Sequence, residues 1–430
     1  MDDVTADAPD PGPQEMARPG FWHLPLAGRM ARIATIRAAG PFPLLTIGNP
    51  LEGSDIRFHA ALRYSEVTEI SRRPLDFCSG RGTTNLIDLP SEALEFFGSF
   101  IAMDDPRHAR QRAIVSRSFT PRALQGVLDS VERICDEVID GMCEQGDVDF
   151  VAAFAEPFPL LVICDMMGIP RSQFETVLRA TNIILGAGDP EVVGTDDVFA
   201  AMIRAGMELA ALMNDLAAHR RAHPRDDLTT ALVHNDLDDD MLTPEELASF
   251  FILLAVAGND TTRNAISHGL GLLSDNPGQR RLWQEDLPGL ARTAVEEIVR
   301  MASPVVFMRR TATRDAAIGG HLFREGDKVA MFYGAANRDP AVFEDPERFD
   351  IRRDPNPHVG FGGPGPHFCL GAHLARREIT VAFTRLLSRL PDLEVAGEAV
   401  YLQSLGIPLV AGVKRLPARF SPAAPLSAGG

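Results

Sequence analysis

A loop rich in glycine and proline, which presents a single cysteine, most constrains how this chain can fold. The loop covers residues 358–371, HVGFGGPGPHFCLG, and Cys369 stands near its end. From Ala372 the apolar residues recur at helical spacing up to Pro391, so the loop leads into an amphipathic helix. Because the unpaired N–H groups at a helix N-terminus favour an anion, we expect a lowered pKa and a thiolate at Cys369.

The glycines of this loop bear on what can approach it. Those at 362, 363 and 365 lack a Cβ atom, so a flat and bulky group could come close to the backbone, and two neighbouring prolines would stiffen the loop. A thiolate suits a soft metal centre, which makes a planar metal cofactor one interpretation. A buried structural cysteine in a glycine-rich turn is the other, and the loop alone does not decide between them.

A second stretch predicts a long helix through the middle of the fold. Residues 243–246, TPEE, have the pattern of a capping box with proline at the first helical position, and the helical pattern continues to about Ser274. Such a helix would span about 45 Å. Its apolar middle is interrupted by AGNDTT at 257–262, where a threonine hydroxyl can bond to an upstream carbonyl. This interruption suggests a function, and a polar face against solvent or a neighbouring helix is the alternative.

These two stretches resemble the haem-binding loop and the oxygen-activation helix of the cytochrome P-450 family. In the loop, His367, Cys369 and Gly371 match the basic residue, the cysteine and the following glycine of the family motif. Phe361 lies one residue farther from the cysteine than in the commonest form. The same longer loop occurs in actinobacterial hydroxylases of sterols and methyl-branched lipids. AGNDTT matches the oxygen-activation motif residue for residue.

The resemblance implies a haem b whose iron is held by the Cys369 thiolate, with dioxygen as co-substrate. It implies that Asp260 relays protons and that Thr261 holds the reacting oxygen and a water by hydrogen bonds, while Gly258 leaves room for the oxygen. The residues that it assigns to cofactor binding are His108, Arg112, Ala257, Gly258, Arg310, Phe361, Gly365, His367, Cys369 and Gly371.

Two charged pairs belong to the same resemblance. His108 and Arg112 lie four residues apart and so share one helix face, which usually is a solvated surface. By resemblance this helix binds the haem propionates, since a guanidinium suits a carboxylate. Glu297 and Arg300, three residues apart, would in isolation be a surface ion pair of small energy. By resemblance they form a buried pair that locks the segment before the loop together with Arg348.

The remaining pattern indicates a mainly α protein with a small β part, an α+β fold of the cytochrome P-450 type. Most of the chain has helical periodicity, whereas 44–48 and 56–64 read as short strands. Residues 321–333 predict a hairpin that turns at 325–327. The resemblance covers roughly residues 20–416.

Domain organisation and composition limit the possible functions. We expect a flexible arm over 1–20, a single domain over 21–416 and a loose tail over 417–430. With 42 basic and 59 acidic residues the net charge is −17, which opposes binding to nucleic acid. The longest apolar run, at 250–257, is far shorter than the roughly 20 residues of a membrane span, and no signal peptide precedes it. A cytoplasmic protein is expected.

Electrons are expected from a separate ferredoxin and its NAD(P)H-driven ferredoxin reductase, because no reductase domain follows the predicted haem helix. Arg110, Arg117, Arg376 and Arg377 are a candidate basic patch for an acidic ferredoxin. Scattered, solvated arginines are the alternative.

The predicted activity is that of a haem-thiolate monooxygenase that hydroxylates a C–H bond of a hydrophobic substrate. The resemblance favours terminal hydroxylation of a sterol or methyl-branched lipid, and a terpenoid, a fatty acid or a polyketide would also suit an apolar pocket. A peroxide-driven haem enzyme and a haem-based gas sensor are the alternatives from other classes. The residues predicted to line the substrate pocket are Phe96, Phe97, Leu253, Val256, Val305, Val306 and Phe307. For the phenylalanines at 96 and 97, a core-facing helix is an equal alternative.

Overall fold

Helices form most of the protein, and small sheets accompany them. The computed structural model describes residues 12–49, 52–89, 97–117, 119, 125–186, 188–194, 197–234, 241–404 and 406–426. The helices are α1 Leu26–Ala39, α2 Tyr64–Arg72, α3 Arg107–Arg117, α4 Gln125–Met142, α5 Pro157–Met167, α6 Phe174–Leu185, α7 Pro190–Val193, α8 Val198–Ala222, α9 Leu228–Val233, α10 Pro244–Asp275, α11 Pro277–Glu285, α12 Leu287–Ala302, α13 Tyr333–Ala336 and α14 Ala372–Arg389. The mainly α fold with a small β part is therefore confirmed.

The strands group into a five-stranded sheet and smaller ones. They are β1 Leu44–Gly48, β2 Asp55–Ala61, β3 Phe77–Cys78, β4 Asp147–Asp149, β5 Phe307–Ala312, β6 Ala316–Ile318, β7 His321–Phe323, β8 Lys328–Phe332, β9 Glu394–Val395, β10 Val400–Tyr401, β11 Val413–Arg415 and β12 Pro417–Arg419. In the larger sheet the order is β1-β2-β8-β5-β3, with β2 and β8 parallel and the other neighbours antiparallel.

The hairpin predicted over 321–333 is wrong. Strand β7 pairs with β6 in a separate two-stranded sheet, and β8 lies between β2 and β5. Burial explains the difference: β8 is buried at four of its five positions and therefore takes a central place, whereas β7 is buried only at Phe323. The strand predicted at 44–48 is confirmed, and the next strand ends at Ala61, shortly before α2 begins.

Helix α10 is the long central helix that the capping pattern predicts. The Glu246 N–H donates to the Thr243 hydroxyl at 3.2 Å, and the Thr243 N–H donates to the Glu246 carboxylate at 3.0 Å, so both halves of the capping box are formed. The helix has 32 residues and is about 48 Å long. It packs against α5, α8, α12 and α14 and so carries its middle into the main apolar core.

Both ends of the described chain are more ordered than the sequence predicts. Met16 is fully buried, and its carbonyl accepts a hydrogen bond from the Trp22 indole at 2.8 Å, so the end of the predicted arm is anchored to the fold at this residue. Strand β12 lies between β4 and β9, which brings 417–419 into a three-stranded sheet. Composition misled here, because backbone pairing with distant strands leaves no local pattern. Residues 1–11 and 427–430 lie outside the described part.

No helix within the described ranges is long and apolar enough to cross a lipid bilayer.

Candidate active site

A large cavity lies where α10 passes the cysteine loop. It holds about 1360 Å³ of empty space, part of which is open to solvent. Cys369 lines it from the loop, Thr261 from α10 and Arg112 from α3. The three stretches that the sequence singles out therefore meet at one space. Its surface is mainly apolar, as a site for hydrophobic molecules requires.

The cysteine loop is held by backbone contacts at both ends. The Val359 N–H donates to the Asn337 side chain at 2.7 Å, and the Cys369 N–H donates to the Phe361 carbonyl at 2.9 Å. Helix α14 begins at Ala372, three residues after the cysteine. The exposed surface of Cys369 faces the cavity, and the Phe361 ring lines the same cavity. The thiol is thus presented to whatever occupies this space.

Burial raises the pKa of the Cys369 thiol, in contrast to the lowering predicted from the helix terminus. The N–H groups of Gly371 and Ala372 and the guanidinium groups of Arg112 and Arg376 act in the predicted direction but do not outweigh burial. Loss of the thiol proton therefore needs a further positive charge. A coordinated metal ion supplies such a charge and deprotonates a thiol outright.

Two of the three loop glycines serve packing, which corrects the prediction for Gly365. A Cβ atom on Gly365 would lie 2.2 Å from the Ser71 carbonyl oxygen, and one on Gly363 would lie 2.4 Å from the Ser71 hydroxyl. These glycines let the loop pack against the end of α2. Gly362, by contrast, lines the cavity and has a φ of +93°, which favours glycine.

Four cationic or basic side chains converge beside the cavity. The rings of His108 and His367 lie 4.3 Å apart between centroids, and a nitrogen of Arg112 donates to the Phe368 carbonyl at 2.5 Å. Arg310 is buried and donates to its neighbour's carbonyl. Burial lowers the pKa of all four, that of His367 to about 2, with Arg310 as the next cause there.

One nitrogen of this cluster has no partner among the residues that the structure describes. The Nδ1 atom of His108 lies 3.3 Å from the Asp105 carboxylate, but its buried Nε2 atom has no partner. Two residues of this cluster, Arg112 and His367, line the cavity directly. Such a group of buried donors suits the carboxylates of a ligand.

On α10, adjacent residues face in different directions. Thr261 lines the cavity together with Ala257 and Gly258, and its hydroxyl donates to the Ala257 carbonyl at 2.7 Å. Asp260 is only 2% exposed and faces Arg263, at 3.4 Å. Burial raises the pKa of Asp260, whereas the Arg263 guanidinium lowers it.

Arg263 holds a second carboxylate that the sequence analysis missed. Its Nη1 atom lies 2.9 Å from Glu156, closer than it lies to Asp260. The pairing of Arg263 with Asp260 at positions i and i+3 was visible in the sequence. The Glu156 contact was not, because this residue comes from the segment before α5.

A buried carboxyl group in the cavity wall was also missed. Glu378 lines the cavity and accepts a hydrogen bond from the Thr262 hydroxyl at 3.2 Å, while its other oxygen has no partner. Burial raises the pKa of Glu378 to about 8, against the opposing effect of that hydrogen bond. The available signal was an acid four residues after Leu374, on the apolar face of the predicted helix.

The ion pair before the loop is fully buried, but its third member differs from the prediction. Arg300 makes two contacts of 2.8 Å with the Glu297 carboxylate. The Arg348 side chain is 58% exposed and pairs with Asp350, so only its backbone carbonyl contacts Arg300. Arg353 lies 3.3 Å from Glu297 instead. The prediction for Arg348 is wrong because sequence spacing does not show which arginine the following turn points inward.

Two of the predicted pocket residues, Leu253 and Val305, line the cavity. The prediction for Val306 and Phe307 is corrected, since both belong to a separate apolar cluster around Trp22. Strand alternation explains this, because Met308, which was missed, lies on the opposite face of β5 from Phe307 and lines the cavity.

The other pocket predictions fall elsewhere. Phe97 and Val256 pack against the main core and are not among the described residues that line the cavity. Phe96 lies outside the described residues.

The candidate arginine patch is largely paired. Arg110 lies 3.0 Å from Glu246, and Arg377 pairs with Glu132. Arg376 pairs with Glu296, and its guanidinium lies 4.3 Å from the centroid of the Phe361 ring. These three arginines therefore have carboxylate counter-charges.

Comparisons with known proteins agree with this geometry. The family model described as cytochrome P-450 matches residues 198–391. The chain is 44% identical over 414 residues to a methyl-branched lipid omega-hydroxylase of Mycobacterium bovis. This alignment covers 95% of this chain and 94% of that protein. It is 40% identical over 348 residues to a steroid C26-monooxygenase of Rhodococcus jostii, covering 80% of this chain and 72% of the relative.

A solved structure matches over nearly the whole length. It is a Mycobacterium marinum cytochrome P-450 in complex with pseudoionone, with a TM-score of 0.87 and 39% sequence identity. The match covers 95% of this chain and 98% of that one.

Proposed function

The chain belongs to the cytochrome P-450 family of haem-thiolate monooxygenases, and on that premise we propose that it hydroxylates the terminal carbon of a methyl-branched lipid or a steroid side chain. The 44% identity over 95% of the chain to a methyl-branched lipid omega-hydroxylase carries this proposal. The large apolar cavity at Cys369 supports it, because a long hydrophobic substrate needs such a space.

The residues around the cavity fit a haem. The thiol of Cys369 faces the space, Gly362 leaves the backbone open beside it, and the guanidinium groups of Arg112 and Arg310, next to His108 and His367, offer charged donors for two propionates. The buried Nε2 atom of His108 has no partner among the described residues, and a propionate beside it would favour the protonated ring, which donates from both nitrogens. When bound, the haem supplies the reductive activation of dioxygen and the insertion of one oxygen atom into a C–H bond.

Thr261 is positioned to hold a water molecule at the reacting centre. Its hydroxyl proton is directed to the Ala257 carbonyl, so the oxygen is left as an acceptor toward the cavity. Gly258 allows α5 to approach closely, since a Cβ atom there would lie 2.8 Å from Ile163. This packing keeps α10 against the cavity and holds the threonine in place.

Asp260 would relay protons to that water by exchanging partners. It is buried and held by Arg263 at 3.4 Å, whereas Glu156 holds the same guanidinium at 2.9 Å. Because Glu156 retains Arg263, Asp260 can turn away without leaving a buried arginine unpaired. Asp260 and Thr261 would therefore act together as the proton path.

The enzyme needs a redox partner, and we infer that this partner is a ferredoxin served by an NAD(P)H-dependent reductase. Arg376 and Arg377 lie in the first turns of α14, close to Cys369 in the chain. Their carboxylate partners, Glu296 and Glu132, lower the net positive charge of this surface. Charge reversal at Arg376 and Arg377 should slow ferredoxin-driven turnover, and unchanged turnover would remove these two residues from the contact.

An optical titration of the ferric holoenzyme tests the substrate class. Cholestenone, a methyl-branched fatty acid and pseudoionone are added in turn, and the low-spin to high-spin change is followed. We expect saturable shifts with the first or second compound, followed by terminal hydroxylation when the redox partners are added. A shift with pseudoionone alone would favour a small ketone as substrate, and the absence of every shift would overturn the lipid assignment.

A further inference from the structure

A charged side chain of α14 packs against the ring of Phe361, beside the cysteine. The guanidinium carbon of Arg376 lies over this ring, 4.3 Å from its centroid, in the geometry of a cation–π contact. Phe361 and Cys369 both line the cavity, and the Cys369 N–H donates to the Phe361 carbonyl at 2.9 Å, which fixes the two residues beside each other. The arginine charge therefore lies behind the neighbour of the thiol.

Glu296 of α12 holds Arg376 in this place. Its two carboxylate oxygens accept hydrogen bonds from the Nε and Nη2 groups of Arg376, at 2.5 and 3.0 Å. Burial opposes ionisation of this carboxyl group, but hydrogen bonds from His358 and Arg376 lower the pKa of Glu296 to about 2, so it is charged at neutral pH. A contact at two points fixes the plane of the guanidinium as well as its distance.

His358 connects this ion pair to the loop that presents the cysteine. Its Nδ1 atom accepts the Gly360 N–H at 3.1 Å, so its Nε2 atom is the one that donates to Glu296, at 2.8 Å. The His358 and Phe361 rings lie 5.9 Å apart between centroids. The loop itself thus helps to hold the carboxylate that orients Arg376.

The charge of Arg376 acts on the thiol as well as on the ring. Burial raises the pKa of Cys369, and the Arg376 guanidinium is among the groups that oppose this effect. A positive charge that favours the thiolate over the thiol favours every more negative state of the same centre, including the state after an iron on this sulfur has gained an electron. Charges and hydrogen bonds around the axial ligand are levers on the potential of a haem.

We propose that Arg376 is a positioning residue that raises the reduction potential of the haem iron, by holding a positive charge behind Phe361 and beside the Cys369 ligand. The inference goes beyond the proposed substrate and rests on Cys369 as the iron ligand. Glu296 carries the opposite charge, so it offsets part of the effect while it keeps the arginine in place. A higher potential makes the first electron easier to accept from the redox partner.

Redox titration of the holoenzyme with dithionite and mediator dyes tests this role without ferredoxin or substrate. Arg376→Met removes the charge and keeps an unbranched side chain, so the ratio of ferrous to ferric haem at a fixed potential should fall roughly threefold to tenfold. The effect is no larger because the Arg376 side chain is 37% exposed and water screens its charge.

The next residue provides the matched control. Arg377→Met removes the same charge from a side chain that is 34% exposed and pairs with Glu132 of α4, and it should keep the ratio close to that of the wild type. An unchanged ratio in Arg376→Met, or an equal fall in both variants, would overturn the proposal.

Glu296→Gln separates the effect of charge from the loss of the ion pair. This variant and Arg376→Met both break the pair, but they remove opposite charges. The ratio of ferrous to ferric haem should therefore rise in Glu296→Gln and fall in Arg376→Met. Shifts in the same direction would assign the effect to a disturbed structure and overturn the proposal.

Two further measurements complete the design. If Glu296→Gln does not retain haem, Arg376→Lys replaces it, because lysine keeps the charge but loses the planar two-point contact. It should stay closer to the wild type than Arg376→Met, and equal falls in both would overturn the proposal. The ferrous carbon monoxide spectrum of the wild type tests the premise: absence of the thiolate form would refute Cys369 as ligand and the inference with it. Since the titrations contain no substrate, their outcome is independent of the proposed substrate class.

Discussion

The imidazole rings of His108 and His367 lie 4.3 Å apart, although one belongs to α3 and the other to the loop before Cys369. Burial keeps both rings neutral by lowering their pKa values, and the nearby Arg112 contributes to this effect in each case. The protein thus assembles, from distant segments, a polar wall beside the cavity in which the positive charge lies on Arg112 and not on the two rings.

Replacing Arg112 should weaken haem retention. In Arg112→Met one charged donor beside the cavity is lost, and a hydrogen bond to a charged group is worth about 1.5–3 kcal/mol, or roughly tenfold to hundredfold in affinity. Haem transfer to an excess of apomyoglobin measures this loss. Arg107→Met, at an exposed position of the same helix, is the control and should release haem at the wild-type rate. Equal rates for all three proteins would remove Arg112 from the propionate site.

Thr261→Ala should retain haem and substrate binding but divert electrons to hydrogen peroxide. The alanine cannot hold the water through which Asp260 would pass protons, so dioxygen that has taken up two electrons and two protons leaves as hydrogen peroxide before the substrate is hydroxylated. Consumption of NAD(P)H is compared with the product and peroxide formed. Thr261→Ser keeps the hydroxyl and should remain coupled. If the alanine variant forms product in proportion to the NAD(P)H that it consumes, Thr261 does not have the assigned role.

Glu297→Ala should yield protein that lacks haem. It leaves the Arg300 guanidinium buried without its carboxylate, which typically costs about 3–5 kcal/mol. Arg353→Ala should act in the same direction but more weakly, whereas Arg348→Ala should resemble the wild type because its side chain is exposed. The ratio of haem absorbance to protein absorbance measures the haem content of each variant. A full haem complement in Glu297→Ala would refute the structural role.

Cys369→His should abolish the thiolate-type spectrum of the ferrous carbon monoxide complex. Imidazole can still bind iron, so loss of the spectrum with retention of haem would identify the ligand rather than report unfolding. Cys164→Ser, at a buried position away from the cavity lining, tests whether thiol loss alone changes the spectrum. Persistence of the thiolate spectrum in the histidine variant would exclude Cys369 as the ligand.

The carboxyl group of Glu378 should make stability depend on pH. Its pKa is about 8 in the folded protein and about 4.5 in the unfolded chain, so between these values the folded state holds a proton that the unfolded chain has lost. The free energy of unfolding therefore falls as pH rises through this window, by up to about 1.4 kcal/mol per pH unit, and levels off on either side.

Glu378→Gln should remove this dependence. Melting temperatures of wild type and variant should diverge from about pH 5 to about pH 8, in favour of the glutamine variant. The exposed residue Glu398 provides the control, because Glu398→Gln should follow the wild type throughout. Parallel curves for the wild type and Glu378→Gln would contradict a raised pKa.

Local patterns in the sequence determined the helical class, the capped helix that begins at Pro244 and the loop that presents Cys369. Each of these rests on neighbours in the chain: a capping box, a periodicity or a run of glycines. The family followed from the same short motifs. The buried pairing of Glu297 with Arg300 also lay within one helical turn and could be placed from the sequence by resemblance.

Only the tertiary structure decided which distant residues meet. Gly365 packs on Ser71, and Arg353 makes the contact with Glu297 that was expected of Arg348. Strand β8 does not pair with β7 but lies inside the five-stranded sheet. Burial likewise reversed the expected pKa shift of Cys369. Contacts and desolvation of this kind depend on how the elements pack, and packing between segments far apart in the chain leaves no periodic trace in the sequence.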